Sequence, residues 1–454
     1  MKKAEVTVYL SLVFLLFLAL IGALIESASI QTLKSYKRAD MNRAMECIFA
    51  EYQKELLEQY EVFALDATYE TGTYAEEQIF DRLRYYLPGT AEQEIVRIQF
   101  LSDNGGEAFR EQVSNYMEHK YGLELLHDKI GITEIWQQQK EESEMVEETE
   151  QSYQETLDSL LEEQEGELAE EGNPMSYMKE LKKMPLLELV MPEDQSVSEK
   201  MLPEEQLLTK RERQKGFGDF SDMKKETSVA DNLLFGQYLL DHFSNASGEA
   251  EGNVLEYEIE YLIGGKMSDR ENLTEVAKKL LLMRFVPNYA YLQSSPEKKA
   301  EAQALALTLS SVLAVPAVTE AVAQVLLLLW AYGEAIMDLR TLLGGGKVPL
   351  TKNDVSWKLA LSGLMKLKEN GSVQDGKDTE NGLRYEEYLR MLLFLNSKEN
   401  IAMRALDLIE QNLQNVGGLK FFYVDRCISK LEVKSKCQFQ RNITYQFSTY
   451  YGYN

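Results

Sequence analysis

Cysteine, histidine and positive charge are all scarce in this 454-residue chain, and each scarcity excludes something. Three cysteines rule out a disulfide-rich fold and any four-thiolate zinc site. The three histidines, His119, His127 and His242, form no H-E-x-x-H or i, i+4 pair, so a zinc hydrolase is not expected. Lys and Arg number 48 against 74 Asp and Glu, a formal charge of −26. Such a surface repels phosphate backbones, and no basic stripe interleaved with aromatics occurs, so no nucleic-acid partner is expected. There is no G-x-S-x-G and no D-x-[DN]-x-[DN]-G calcium loop. Ser295-Pro296-Glu297-Lys298 matches S-x-x-K without its partner motifs and reads as the start of a helix. Gly344-Gly345-Gly346-Lys347 lacks the gap and the hydroxyl residue of a phosphate loop and reads as a helix end. Sequons at Asn245, Asn272, Asn370 and Asn442 matter only in a eukaryotic secretory pathway. No catalytic residue, cofactor or metal ligand is assigned, and a non-enzymatic role is the expectation.

What is present begins at the amino terminus. With 44% hydrophobic and 27% charged residues the chain has an ordinary globular composition, long enough for two or three domains. Residues 6–25 (VTVYLSLVFLLFLALIGALI) carry no charge and lie between Glu5 and Glu26. As a helix they span about 30 Å, one hydrocarbon core. Ser27, Ala28 and Ser29 would suit a signal peptidase, but the run exceeds the usual ~7 to 15 residue signal core and a helical pattern continues past it, so a retained anchor is expected. Lys34, Lys37, Arg38 and Arg43 outnumber Lys2 and Lys3, which taken alone favours the reverse orientation. Residues 1–5 leave nothing bulky to export, however, and long domains translocate despite their charges. The expectation is a single-pass protein of the cell membrane, with a short cytoplasmic tail and the bulk of the chain extracellular.

Beyond the span, Ile30, Leu33, Tyr36, Ala44, Ile48, Tyr52, Leu56, Tyr60 and Phe63 recur at helix spacing, so residues 26–66 are read as a membrane-proximal rod whose helix runs to Phe63. Its apolar stripe serves packing in a homo-oligomer or is covered by the chain's own domain. Cys47 on this rod is a buried thiol or a candidate intermolecular link. Residues 67–136 form a small α+β unit, with a strand over 94–101 and turns at Pro88-Gly89 and Asn104-Gly105-Gly106. Residues 137–228 are an acidic, Pro-containing linker: 141–171 hold fourteen acids and no base, and Pro174, Pro185, Pro192 and Pro203 follow, then KRERQKGFGDFSDMKKE.

Residues 229–420 are a helical domain. Ser268-Asp269-Arg270-Glu271 fits a capping box opening a helix that stops at Pro287. The apolar stretches 302–318 and 321–332 are interrupted by Pro316, Glu320 and Gln324, which favours two buried helices over a membrane hairpin. Further helices are expected at 384–395 and 399–413, the second closed by Gly417-Gly418. In the C-terminal β segment, 421–454, Cys437, Phe439, Ile443, Tyr445, Phe447, Tyr451 and Tyr453 alternate with polar residues. With 421–424 it is expected to form a small antiparallel sheet on the helices, or to be donated to a partner's sheet. Cys427 and Cys437 flank ISKLEVKSK and are a candidate disulfide across that hairpin, worth about 3 kcal/mol, or else are free buried thiols. The fold class is α+β and mainly helical: one N-terminal transmembrane helix, a rod, an extracytoplasmic helical domain and a small antiparallel C-terminal sheet.

The opening KKAEVTVYLSLVFLLFLALIGALIESASIQ and the following CIFAEYQKELLEQYEVFALD, with LLFGQYLLDHFSN, YEIEYLIGGKMSDRENL and the stretch 302–357, resemble an uncharacterised Gram-positive bacterial envelope family encoded near Flp/Tad-type pilus loci, with amino termini like those of TadE and TadG proteins. The resemblance covers about half the chain in scattered blocks. It implies a single-pass, externally displayed accessory protein with pilus or secretion-system partners, and no activity. Processed pilin-like proteins carry Gly before the cleavage point and Glu inside the apolar run; here Lys3-Ala4-Glu5-Val6 puts Glu5 ahead of the run, against cleavage and use as a major fibre subunit. The alternative function is a membrane-tethered cell-wall-modifying enzyme, which would need a cluster of acids in a head-domain cleft. A sensor would have almost nothing inside the cell to signal with.

Overall fold

The computed structural model describes residues 2–87, 92–121, 130–163, 167–169, 173–192, 195–223, 228–248, 252–311, 313, 315–367, 382–415, 417–439 and 443–453. The expected turn at Pro88-Gly89, the sequons at Asn370 and Asn442, and His127 lie outside these residues. Contacts divide the chain into a first unit of residues 1–112, 212–225 and 418–454 and a second of 113–211 and 226–417.

In the first unit, helix α1 (Lys2–Phe49) is continuous for 48 residues, about 72 Å. Residues 6–25 are exposed on every side except at half-buried Val13, whereas Met41, Ala44, Met45, Ile48 and Phe49, at i, i+3/i+4, i+7 spacing, are buried in the unit's core. The chain's own domain therefore covers the far part of the stripe. The helix ends at Phe49 instead of reaching Phe63. Gln53 N–H donates to the Ala64 carbonyl at 2.8 Å, and Glu61 takes φ 55° to close the short helix α2 (Lys54–Tyr60). Leu56, Tyr60 and Val62 become buried by this turn, which a straight rod would leave wet.

Strand β1 (Leu65–Asp66), helix α3 (Glu76–Tyr86) and strand β2 (Glu92–Phe100) follow, then helix α4 (Asp103–Tyr121), which enters the second unit after Asn104, Gly105 and Gly106 turn at φ 51, 68 and 73°. The far end of the chain supplies β3 (Cys427–Gln438) and β4 (Thr444–Gly452). All pairings are antiparallel through β3: Ile95 opposite Val433, Leu65 opposite Ile428, and Val433 opposite Thr449. The small antiparallel sheet is thus present, with β3, read from sequence as a connection, as its centre. Residues 421–424 are not one of its strands. Ile428, Leu431 and Val433 are buried, while Lys430 and Lys436 pair with Glu111 and Glu92, each at 2.6 Å.

Part of the expected linker closes this unit. Phe217 exchanges both backbone hydrogen bonds with Ile98, at 2.9 and 3.0 Å. Gly218, at φ +82°, has to be glycine, because a Cβ there would sit 2.2 Å from that of Arg97.

The second unit is helical: α5 (Ile130–Glu163), α6 (Pro174–Leu181), α7 (Leu186–Val190), α8 (Val229–His242), α9 (Glu258–Gly264), α10 (Asp269–Ser294), α11 (Pro296–Leu309), α12 (Pro316–Leu343), α13 (Tyr385–Leu395) and α14 (Lys398–Asn415). The acidic run 141–163 is the outer part of α5, and Met178, Leu181, Leu187 and Val190 of the expected linker are buried. Ser268 caps α10 by accepting from Glu271 N–H. The helix continues through Pro287 to Ser294, because Val286, Asn288 and Leu292 are buried around it and packing outweighs one missing backbone bond. Ser295 and Pro296 start α11, Pro316 starts α12, and Gly344 ends it. The most apolar window of α12 is 89% buried, which accounts for its hydrophobicity without a membrane.

Candidate functional site

The clearest functional feature is the first half of α1. Val6, Tyr9, Leu12, Leu16, Ile21 and Ile25 are each 50–70% exposed, left bare by the described residues. An apolar cylinder of this length is a candidate single membrane span.

In the second unit, the most concentrated polar chemistry is a buried ionic knot. Arg284 Nε donates to Asp338 Oδ2 at 3.0 Å, and its Nη1 to the Leu350 carbonyl and Tyr388 hydroxyl at 2.9 and 3.1 Å. Lys352 Nζ donates to Glu334 Oε1 and Asp338 Oδ1, both at 2.6 Å, and to the Ser356 carbonyl at 3.2 Å. Glu334 also accepts the backbone N–H of Lys358 and Leu359, at 3.0 and 2.7 Å. Burial alone would raise the Asp338 carboxyl, but Arg284 and Lys352 overcome it and hold it below the ordinary range. The charges are matched and shut off from water, so the knot fastens residues 348–359 to α10 and α12.

The same device recurs without cations. Glu258 accepts from Ser244 N–H and Oγ, Asn253 and Asn412. Asp269 accepts from Glu256 and Tyr257 N–H and from Ser198 Oγ; Asp407 accepts from Thr209 N–H and Oγ1 and from the Tyr261 hydroxyl. Each buried carboxylate clips irregular backbone to a helix. In the first unit, Asp103 likewise holds Phe100 and Gly216 N–H.

Glu260 is the incomplete member. Its Oε1 accepts from Ala246 N–H at 3.0 Å and the Tyr385 hydroxyl at 2.8 Å, while its buried Oε2 has no partner. Burial pushes its carboxyl up to about 7. The folded state therefore holds a proton that the unfolded chain releases above about 4.5, and stability from this group is present below that pH and lost as pH rises through about 7. Glu260→Gln, which mimics the protonated form, should remove that slope. Denaturation midpoints at pH 5 and pH 8 should differ between parent and variant by the equivalent of about 3 kcal/mol. An unchanged difference would mean that Glu260 is hydrated.

The remaining candidates are separate. Cys427 and Cys437 open and close the same strand, ten steps and about 33 Å apart, far beyond the ~7 Å Cα limit of a disulfide. The expected bridge is therefore not formed, and both are buried thiols outside any disulfide, with Cys427 Sγ donating to the Tyr423 carbonyl at 3.4 Å. Cys47 is a half-buried thiol on α1. His119 is exposed on α4, and His242 stacks on Tyr238 with ring centroids 4.2 Å apart. A cleft of about 220 Å³ in the first unit is lined by Asp66, Glu70, Lys420 and Phe421 among others. Asp66 is occupied there, accepting from Thr68 N–H and Oγ1 and from Glu70 N–H. Among the described residues no group of three or more His, Cys, Asp or Glu is placed to hold a metal ion.

No curated protein and no solved structure matches the chain. A family profile matches residues 164–439, which takes in most of the second unit with its ionic knot and all of β3. That match covers more than half of the sequence, and the chain belongs to a family of unknown function, DUF5702.

Proposed function

We propose that this chain is a membrane-anchored, extracytoplasmic structural or assembly protein, a non-enzymatic accessory component of a Flp/Tad-type pilus or secretion system. One observation carries the anchoring part: α1 leaves an uncharged, mostly apolar run of twenty residues uncovered and then runs unbroken into the core of the first unit. A helix fixed in this way ties the folded body rigidly to the bilayer, as a scaffold requires. The pilus part rests on the resemblance of the amino terminus and scattered blocks to the envelope family described above. The proposed orientation puts residues 1–5 in the cytoplasm and the body outside, with pilus or secretion proteins as partners.

The test uses the full chain with an epitope following Asn454. Protease added to intact cells should remove the epitope, and the detergent-solubilised chain should co-purify with products of a pilus locus. A protected epitope overturns the orientation, and purification free of pilus proteins overturns the assembly role.

A further inference from the structure

Strand β4 climbs α1 in step. Lys34 Nζ lies 5.1 Å from the centre of the Tyr445 ring, and the Arg38 guanidinium lies 5.8 Å from the centres of both Tyr445 and Phe447. From Lys34 to Arg38 the helix rises about 6 Å, and from Tyr445 to Phe447 the strand rises about 7 Å. The match persists to the top of the helix, where Phe49 meets Tyr451 with centroids 4.6 Å apart. The two elements therefore run alongside each other in the same direction, and the end of the β3–β4 hairpin at Phe439 and Ile443, where the two strands are connected, points back down α1 towards the apolar run.

The level of that end follows from the rises. Lys34 lies nine residues past Ile25, about 14 Å beyond the apolar run. Ile443 precedes Tyr445 by two residues, about 7 Å nearer that run, and Phe439, whose N–H donates to the Ile443 carbonyl, is level with it. The polar layers add roughly 5–8 Å on each side of the hydrocarbon core. The hairpin end thus falls among lipid headgroups. Phe439, Tyr445 and Phe447 stack in a row there, at 6.3 and 5.1 Å, in the amphipathic setting where aromatic rings collect.

Charge points the same way. Over residues 26–43, α1 carries Lys34, Lys37, Arg38 and Arg43 against Glu26 and Asp40, in a chain whose formal charge is −26. Asp40 is taken by Arg43 at 2.9 Å, Glu92 by Lys436 at 2.6 Å, and Glu94 stands opposite Lys434 in the sheet. Lys34 and Arg38, the cations that meet the hairpin, are backed by its rings.

We propose that the hairpin end and the Lys34, Lys37 and Arg38 turn of α1 form a collar that rests on anionic lipid headgroups and fixes the first unit against the bilayer. This rests on the membrane reading of α1, and the experiment separates the two. Full-length chain is reconstituted in phosphatidylcholine vesicles with and without phosphatidylglycerol, carrying one fluorophore at Gln438→Cys, Leu16→Cys or Lys54→Cys, with wild-type chain as the labelling control. Nitroxide lipids quench from either headgroup or acyl-chain depth. The expected result is headgroup quenching at 438, stronger with phosphatidylglycerol, acyl-chain quenching at 16 and neither at 54. Changing Lys34, Lys37 and Arg38 to Gln should lower the docked-to-undocked ratio at 438 roughly fivefold per cation and leave 16 unchanged. Quenching at 16 with none at 438, equal quenching at 438 in both lipids, or self-quenching between copies at 438 instead overturns the collar alone. No quenching at 16 overturns the span and the collar with it.

Discussion

Replacing Lys352 by methionine should cost the second unit about 3–5 kcal/mol, the usual penalty for removing one partner from a buried ion network. The side chain is fully buried and holds two carboxylates at 2.6 Å, so the variant leaves Glu334 with backbone amides alone and Asp338 with Arg284 and Asn288. Methionine fills most of the volume, and the loss is therefore electrostatic more than steric. Adding Glu334→Gln removes the stranded charge and should recover part of it, with a coupling of about 0.5–3 kcal/mol in the double-mutant cycle. Tryptophan fluorescence during chemical denaturation reads the knot directly. The rings of Trp330 and Trp357 lie 5.7 Å apart, and both indole N–H groups donate to the Leu359 carbonyl, at 2.8 and 2.6 Å. Additive single-variant losses of under about 1 kcal/mol would show that water reaches these charges.

The second large effect concerns the span. Leu12→Arg together with Leu16→Arg puts two charges near its centre, at about 2.5–3.5 kcal/mol each on insertion scales. Both leucines are more than 60% exposed and belong to no core, so the folded body should be untouched. The chain is expected to move from the lipid-floating to the soluble fraction with its tryptophan spectrum unchanged. Continued flotation at parent levels would locate membrane affinity outside residues 6–25.

Local signals made much of this architecture readable. The uncharged run, the alternation over 94–101, the cap at Ser268, the break at Pro316 and the stop at Gly344 each express a preference of a few neighbouring residues. The failures share a different cause. Strand β3 looked like a turn because its lysines are answered by Glu92 and Glu111, hundreds of residues away. Its two cysteines then looked like neighbours across a hairpin when they are the ends of one strand. Pro287 looked like a stop because a helix held by packing on both sides of a proline has no sequence mark. The carboxylate clips were invisible for a related reason: 74 acids offer no way to choose Glu258 or Asp407, since their partners are backbone amides and common hydroxyl and amide side chains, several of them more than a hundred residues away.

The placement of β3 bears on biosynthesis. Arg97 on β2 and Glu432 on β3 are joined by an ion pair although 335 residues separate them. Until the ribosome has made β3 and β4, β2 has no central neighbour and Met41, Met45 and Phe49 lack the sheet that covers them. Most of the second unit is complete by then. A nascent chain would emerge with α1 first and the strands that cover its Met41–Phe49 end last, leaving a sticky stem that needs a chaperone or rapid translation, and a premature stop codon before residue 427 would leave it permanently bare.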